Sequence, residues 1–302
     1  MDVIKLYTPE VPEGQFPMTM ADVSGVKRKF LDVAYADQSK NQKMDIYLPD
    51  EGVGPFPVIV FIHGGAFWGG ERRDFQMHYV VNGIRRGYVV VSLDHRLSDE
   101  AKFPEPVYDV KAAIRFLRAN ASTYLMDTDR IGVCGASAGG YMVTMLGATG
   151  DMDAFEDRTM GNAEYSSSVQ AVISLFGVHD PVMQSQFTED APPFTPGGPK
   201  MANFMDIFMD FNCREKPALA MMGWPGNYIT PACPPMLIQA GSADEIVPYQ
   251  NSIDLADKIN AVCGDGRAIF ETFPDCKHGD PAFSTPEAEE RRFEFFDSIL
   301  KK

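Results

Sequence analysis

The stretch that most constrains the fold is residues 135–139, which read Gly-Ala-Ser-Ala-Gly and place Ser137 between glycines. An apolar run at residues 130–134 precedes it, and a run of helical character at residues 140–146 follows. A serine between a strand and a helix sits on a sharp turn that exposes its hydroxyl at the carboxyl end of the strand. Flanking glycines remove the side chains that would collide there. Alone, the pentapeptide also fits a tight turn with a solvated serine, so the rest of the chain has to decide.

Apolar runs alternate with helical patterns along most of the chain. The runs at 58–62 and 88–93 lack polar alternation, which is typical of strands buried on both faces of a parallel sheet. Further strands are predicted at residues 130–134, 169–176, 235–240 and 268–273. Helices are predicted at residues 74–86, 104–121, 251–261 and 287–300. This alternation predicts a mainly parallel sheet covered by helices on both faces. Two earlier strands, at residues 26–35 and 43–48, are expected to pair antiparallel at one edge of that sheet.

The length of 302 residues fits one domain with one large core, so we expect a single domain over residues 1–302. Residues 1–25 are predicted to form a loose amino-terminal arm. The stretch 178–234, rich in Met and Phe, is long for a connection. It is predicted either as a helical insertion packed on the core or as a cap whose thioethers and rings line an apolar pocket over Ser137.

The net charge of −15 disfavours nucleic acid and anionic membranes as partners, because both would repel the chain. No secretory pattern begins the chain, and no run approaches the length of a membrane helix, so we expect a cytoplasmic protein. The five cysteines form no Cys-x-x-Cys motif, so neither a metal site nor a redox pair is predicted. The sequence carries no signal of the oligomeric state.

A serine hydroxyl is a weak nucleophile near neutral pH and needs a base. His278 is the predicted base, because it follows the late strand at 268–273 and can face the carboxyl end of the serine strand. The base needs a carboxylate that holds its tautomer, and Asp244, just after the strand at 235–240, is predicted for this role. The order Ser137, Asp244, His278 is the order found in α/β-hydrolases.

Each partner of the serine has an alternative. His278 could be a surface loop histidine, and Asp244 could instead cap the helix that follows it. Glu245 is adjacent and could be the acid if the turn differs. His179 also follows a strand, so it is predicted as a wall of the substrate pocket or as a rival base.

A second glycine-rich stretch, residues 63–70, reads His-Gly-Gly-Ala-Phe-Trp-Gly-Gly and directly follows an apolar run. With little side chain in the way, the N–H groups of Gly65 and Ala66 can turn inward. Together with the N–H of Ala138 at the helix start, they are predicted to form an oxyanion hole, which stabilises the charge on a reacting carbonyl oxygen. A plain turn is the alternative.

These stretches resemble the α/β-hydrolase esterases related to hormone-sensitive lipase, and more closely the bacterial branch with feruloyl esterase-like (BD-FAE) and arylformamidase-like members. The resemblance runs from about Phe30 to the carboxyl end and includes residues 92–98 and 103–113. It implies the α/β-hydrolase fold, a mainly parallel sheet with helices on both faces and a helical cap insertion. Ala66 departs from the pattern, since many relatives have a third glycine there.

The resemblance implies a serine carboxylesterase acting on small esters, with short-chain acyl, acetylated sugar or hydroxycinnamoyl groups and without a metal or organic cofactor. Trp68 and the Met- and Phe-rich insertion are expected to limit the substrate pocket. An arylformamidase, which cleaves an activated amide with the same machinery, is the alternative activity. A lyase or transferase, or a non-catalytic binding module on the same scaffold, is a further alternative.

Overall fold

The computed structural model describes residues 3–8, 19–150, 152–192 and 200–302. The strands are β1 (Lys5–Tyr7), β2 (Met20–Asp22), β3 (Lys29–Ala34), β4 (Lys43–Tyr47), β5 (Phe56–Ile62), β6 (Val89–Leu93), β7 (Met126–Ala136), β8 (Ala171–Leu175), β9 (Met236–Gly241) and β10 (Ala268–Phe273). The α-helices are α1 (Glu105–Ala119), α2 (Ala138–Thr149), α3 (Pro181–Asp190), α4 (Phe204–Met209), α5 (Pro217–Ala220), α6 (Tyr249–Cys263) and α7 (Pro286–Leu300). Several 3-10 helices lie between them.

Eight strands form one sheet in the order β10-β9-β8-β7-β5-β6-β4-β3. The pairs β3–β4 and β4–β6 are antiparallel, and the other neighbours are parallel. The predicted parallel sheet with an antiparallel edge is therefore confirmed. Because the parallel strands run in the same direction, the loops after β5, β7, β8, β9 and β10 meet at one edge of the sheet. In sheets of this kind, ligands bind at the carboxyl ends of the strands.

The central strands are buried on both faces, as their unbroken apolar runs indicate. In β5, Val58 and Val60 pack into one apolar cluster, whereas Ile59 and Phe61 pack into a second cluster on the opposite face. Successive side chains of a strand point to opposite faces, so one apolar run supplies both clusters. Helices α1, α2 and α6 cover the first face, and α7 covers the second.

The prediction of a single helix at residues 74–86 is wrong. The chain instead forms two 3-10 helices, Phe75–Tyr79 and Val81–Arg86, with a break at Val80, whose φ of −135° is not helical. Consecutive residues 79, 80 and 81 are all buried. The backbone bonds on either side of the break join residues three apart, from the Val80 N–H to the Met77 carbonyl and from the Gly83 N–H to the Val80 carbonyl, as in 3-10 helices.

The segment expected as a loose arm, residues 1–25, is ordered by pairing where the structure describes it. Strands β1 and β2 form an antiparallel pair, and Ile4 and Ala21 are buried in the second apolar cluster. The Ala21 N–H donates to the Arg73 carbonyl, and the Phe75 N–H donates to the Thr19 carbonyl. The arm is thereby joined to the start of the first 3-10 helix.

The long connection at residues 178–234 contains α3, α4 and α5, and residues 193–199 of it lie outside the described part. Its Phe208 ring stacks on Phe67 at a centroid distance of 4.0 Å and meets Tyr141 edge-on. These contacts pack the insertion on the main core. The described helices include none that is long and apolar enough to cross a membrane.

Candidate active site

Ser137 occupies the tight turn between β7 and α2. Its φ of 56° and ψ of −118° are rarely adopted by a residue with a side chain, and such strain is common at functional sites. The flanking glycines permit the turn. A Cβ on Gly135 would lie 2.2 Å from the Gly139 carbonyl oxygen, and a Cβ on Gly139 would lie 2.1 Å from the Ile62 carbonyl oxygen. The turn therefore requires glycine at both positions, and Ser137 between them is partly exposed.

The structure brings Ser137, His278 and Asp244 into one hydrogen-bonded chain. His278 Nε2 lies 3.0 Å from Ser137 Oγ, and His278 Nδ1 lies 2.8 Å from Asp244 Oδ2. The Asp244 side chain is 2% exposed, so it cannot exchange this contact for water. A carboxylate on Nδ1 fixes the proton there and leaves Nε2 as an acceptor for the serine proton.

Asp244 and His278 stand on two loops that brace each other. The Ala243 N–H donates to the Cys276 carbonyl, and the Asp275 N–H donates to Ser242 Oγ at 2.8 Å. Asp244 Oδ1 also accepts the N–H groups of residues 246 and 247, each at 2.9 Å. The capping alternative is thus compatible with the contact to histidine, because one carboxylate oxygen caps the turn while the other faces His278.

Glu245 points away from this chain. Its carboxylate pairs with Lys277 at 2.8 Å, and both side chains are more than half exposed. The turn therefore places the carboxylate of Asp244 against the imidazole of His278 and the carboxylate of Glu245 in solvent.

The glycine-rich loop after β5 contacts the serine turn. A Cβ on Gly64 would lie 3.1 Å from Ser137 Cβ and 2.6 Å from the Ala136 carbonyl oxygen. Gly65 has a φ of +125° and Ala66 a φ of +54°. Within the described residues, nothing accepts a hydrogen bond from the backbone N–H of Gly65, Ala66 or Ala138. Three donors around the serine are therefore available to a negatively charged oxygen.

The His63 side chain contacts the backbone of this loop. Its Nδ1 lies 2.8 Å from the Gly64 carbonyl oxygen and its Nε2 lies 3.8 Å from Asp94 Oδ1. The ring stacks on His95 at 5.1 Å. Burial lowers the pKa of His63 and, together with the charge of His63, lowers that of His95 to about 4. Both rings are therefore neutral near pH 7, and His63 Nδ1–H can donate to the loop.

A cavity of about 360 Å³ opens beside the Ser137 hydroxyl. Its lining combines loop backbone with apolar and aromatic side chains: Gly65, Ala66, Phe75, Gln76, Tyr79, Ser137, Phe176, Met201, Phe204, Ile246, His278 and Gly279. Met201 and Phe204 come from the long insertion, which therefore both packs on the core and contributes to this cavity. In the described parts of the chain, no cluster of His, Cys, Asp or Glu is arranged to hold a metal ion.

The structure does not place Trp68 or His179 in the lining of this cavity. The Trp68 residue is 58% exposed and projects from the loop, while its backbone N–H donates to the Gly65 carbonyl. His179 is fully buried, with Nδ1 at 3.3 Å from Thr144 Oγ1 of α2, and burial lowers its pKa to about 3. Because His179 follows a strand, it was predicted to lie near Ser137. The backbone instead turns its ring into the core.

Several residues that line the cavity were not predicted from the sequence, among them Phe176 and Gln76. Phe176 follows β8, the neighbour of β7, so its place at a strand end was a usable signal, and its ring meets His278 edge-on at 4.8 Å. Phe75, Gln76 and Tyr79 carried no such signal, because their segment was expected to be a regular helix.

Comparison with known proteins finds a matching family model and relatives that are named esterases. The model of the BD-FAE family matches residues 44–259. Esterase LipC of Mycobacterium tuberculosis is 27% identical over 250 residues, which are 82% of this chain and 59% of LipC. The chain thus spans about three-fifths of the length of that curated relative.

Two solved structures are similar over most of this chain. A truncated form of a carbohydrate esterase from gut microbiota has a TM-score of 0.80 at 27% identity, covering 92% of this chain and 98% of that one. A bifunctional GH43-CE protein of Bacteroides eggerthii has a TM-score of 0.78 at 31% identity, covering 89% of this chain and 35% of that one. With its family model matched over more than two thirds of its length, this chain, an α/β-hydrolase in fold, belongs to the BD-FAE family.

Proposed function

We propose that this protein is a serine carboxylesterase that hydrolyses small esters through an acyl-enzyme. The observation that carries the proposal is the hydrogen-bonded chain from Ser137 Oγ through His278 to Asp244, beside backbone N–H groups without an acceptor. A nucleophile, a base oriented by a carboxylate, and donors for an oxyanion are the groups that acyl transfer requires.

Acylation begins when Ser137 Oγ attacks the ester carbonyl carbon and its proton passes to His278 Nε2. The carbonyl oxygen becomes an oxyanion that accepts hydrogen bonds from the N–H groups of Gly65, Ala66 and Ala138. Asp244 stabilises the imidazolium through Nδ1–H. The C–O bond to the alcohol then breaks, and the alcohol leaves with the proton from Nε2.

Deacylation repeats these steps with water as the nucleophile. His278 Nε2 takes a proton from the water, whose oxygen attacks the acyl carbon, and the second oxyanion uses the same donors. The bond to Ser137 Oγ breaks, the serine recovers its proton from His278, and the carboxylic acid leaves. The Phe176 ring packs edge-on against the imidazole that acts in both steps.

For the substrate, we propose short-chain acyl esters of carbohydrates. The cavity of about 360 Å³ has room for a small acyl group, and its walls are largely apolar. Of the similar solved structures, one is named a carbohydrate esterase.

The test of the activity compares the wild type with Ser137→Ala on p-nitrophenyl acetate. Loss of the nucleophile is expected to lower kcat by about three orders of magnitude or more. Ser298→Ala is the matched control, because Ser298 Oγ donates to the Phe295 carbonyl within its own helix α7, and it is expected to keep full activity. A Ser137→Ala variant as active as the wild type would refute the proposal.

The test of the substrate class compares kcat/KM for acetylated xylo-oligosaccharide, methyl ferulate and N-formylkynurenine. Acetylated sugar is expected to give the highest value. A higher value for N-formylkynurenine would instead assign the site to arylformamide hydrolysis, and a higher value for methyl ferulate would assign it to hydroxycinnamoyl esters.

A further inference from the structure

The glycine-rich loop is held by hydrogen bonds on the far side of its peptide planes. In a planar trans peptide, the C=O of one residue and the N–H of the next point in opposite directions. His63 Nδ1 lies 2.8 Å from the Gly64 carbonyl oxygen, which fixes the plane that carries the Gly65 N–H. The Gly65 carbonyl accepts two N–H groups, from residues 68 and 69, each at 2.9 Å, which fixes the plane that carries the Ala66 N–H.

The peptide plane before these two is fixed by a side chain from a distant segment. The Gly64 N–H donates to Gln76 Oε1 at 2.9 Å. Gly64 is therefore held at its N–H by Gln76 and at its C=O by His63. It has no room to shift toward the serine, because even a methyl group there would touch Ser137 Cβ.

The orientation of the Gln76 amide is in turn imposed by Asp74. Asp74 Oδ2 accepts Gln76 Nε2–H at 2.9 Å, and Asp74 Oδ1 accepts the Gln76 backbone N–H at 2.9 Å. A carboxylate only accepts, so the NH₂ group must face Asp74 and the amide oxygen must face Gly64. If the amide were reversed, its NH₂ group would face the Gly64 N–H, and neither donor would have an acceptor there.

Asp74 is an unusual residue to bury. It is fully buried, while the adjacent Arg72 and Arg73 pair with Asp94 and Asp45 instead. Burial raises the pKa of Asp74 to about 6. A buried carboxylate has to be hydrogen-bonded. The Asp74 carboxylate caps the first 3-10 helix through the Gln76 backbone N–H and also accepts the Glu71 N–H at 3.5 Å. Its bond to Gln76 Nε2–H is the contact that orients the amide.

We propose that Gln76, oriented by Asp74, is a positioning residue that holds the glycine-rich loop so that the N–H groups of Gly65 and Ala66 meet the oxyanion formed at Ser137. This inference rests on the proposed esterase function. It assigns a role to a segment that no sequence motif marked, since Gln76 lies in the first 3-10 helix and its amide oxygen accepts the Gly64 N–H.

Gln76→Leu removes the acceptor at similar size. The loop loses one of its restraints, so kcat on p-nitrophenyl acetate is expected to fall about 10- to 100-fold, because small misplacements of catalytic groups have effects of this order. KM is expected to change by less than about threefold, since the ground-state carbonyl gains little from the donors. The matched control is Gln170→Leu. Gln170 Oε1 accepts the Ile131 N–H at 2.9 Å, the same kind of bond in the middle of β7, and this variant is expected to keep the wild-type kcat.

Gln76→Glu separates positioning from general damage to the structure. When protonated, the introduced carboxyl group can donate its O–H to Asp74 and accept the Gly64 N–H, as the amide does. When ionised, it faces the carboxylate of Asp74, with Asp94 and Glu71 also near, so one of the pair binds a proton readily. The ratio of its kcat to that of the wild type is therefore expected to rise several-fold between pH 8 and pH 6. The same ratio for Gln76→Leu is expected to stay flat.

Melting temperatures are measured for every variant, so that a loss of fold is seen directly. A folded Gln76→Leu variant with the kcat of the wild type would overturn this inference and leave the proposed function intact. An equal loss for Gln170→Leu, a Gln76→Glu ratio that does not change with pH, or an effect confined to KM would also overturn it. A wild type without esterase activity would overturn both proposals.

Discussion

The Asp244→Asn variant tests the proposed role of the carboxylate most directly, because the structure dictates how the new side chain must sit. Asp244 Oδ1 accepts two backbone N–H groups, from Ile246 and Val247, each at 2.9 Å. An asparagine carbonyl retains both bonds only by taking the place of Oδ1. Its NH₂ group then faces His278 Nδ1, where Asp244 Oδ2 lies at 2.8 Å in the wild type.

An NH₂ group against Nδ1 reverses the tautomer of His278. Nδ1 must accept, so the ring proton moves to Nε2, which lies 3.0 Å from Ser137 Oγ. A protonated Nε2 cannot take the serine proton. In a serine hydrolase, this change lowers kcat by about 10⁴-fold, or about 5.5 kcal/mol of transition-state stabilisation at about 1.4 kcal/mol for each factor of ten.

The assay is the steady-state hydrolysis of p-nitrophenyl acetate at pH 7.5, with the melting temperature measured for each variant. Asp244→Asn is expected to keep the melting temperature of the wild type, because both bonds to the turn remain. Asp244→Ala loses those bonds as well and is expected to be less stable by about 1 kcal/mol. The matched control is Glu245→Gln, which removes an exposed ion pair with Lys277 and is expected to leave kcat unchanged.

Two results would refute this reasoning. An Asp244→Asn variant within about tenfold of the wild-type kcat would show that Asp244 does not set the tautomer. A larger loss for Glu245→Gln than for Asp244→Asn would identify the neighbouring carboxylate as the acid.

Two further predictions concern the turn and the buried ionisable groups. Gly139→Ala places a methyl group 2.1 Å from a carbonyl oxygen of β5, so we expect loss of esterase activity and a destabilisation of about 3 kcal/mol or more in urea unfolding. In the control Gly69→Ala, the nearest atom to the new methyl group would be 4.0 Å away, so both activity and stability should be preserved. Equal effects of the two substitutions would contradict the steric argument. Burial lowers the pKa of His95 to about 4 and of His179 to about 3, so below about pH 6.5 the unfolded chain binds protons that the folded chain does not, and stability is lost as the pH falls. Asp74, with its pKa raised to about 6, has the opposite sign. From pH 7 to pH 5 the two histidines are expected to remove about 4 kcal/mol and Asp74 to restore about 1 kcal/mol, so a free energy of unfolding that rises over this range would contradict the assignment.

The sequence by itself determined the features whose causes are local. The turn at Ser137 was predicted from two glycines that stand between an apolar run, residues 130–134, and a run of helical character, residues 140–146. Strand β10 was predicted with the bounds it has, Ala268–Phe273. The order of Ser137, Asp244 and His278 along strands of one parallel sheet sufficed to bring them to the same edge, because the carboxyl ends of such strands coincide.

Only the tertiary structure decided which side chains face the cavity. His179 follows a strand but turns into the core, and Trp68 lies in the glycine-rich loop but projects into solvent. Gln76 belongs to the segment at residues 74–86 that was predicted as one helix, yet this segment forms two 3-10 helices, and the first brings the Gln76 amide to Gly64. The direction in which a side chain points depends on contacts between residues far apart in the chain, and a local sequence pattern does not record those contacts.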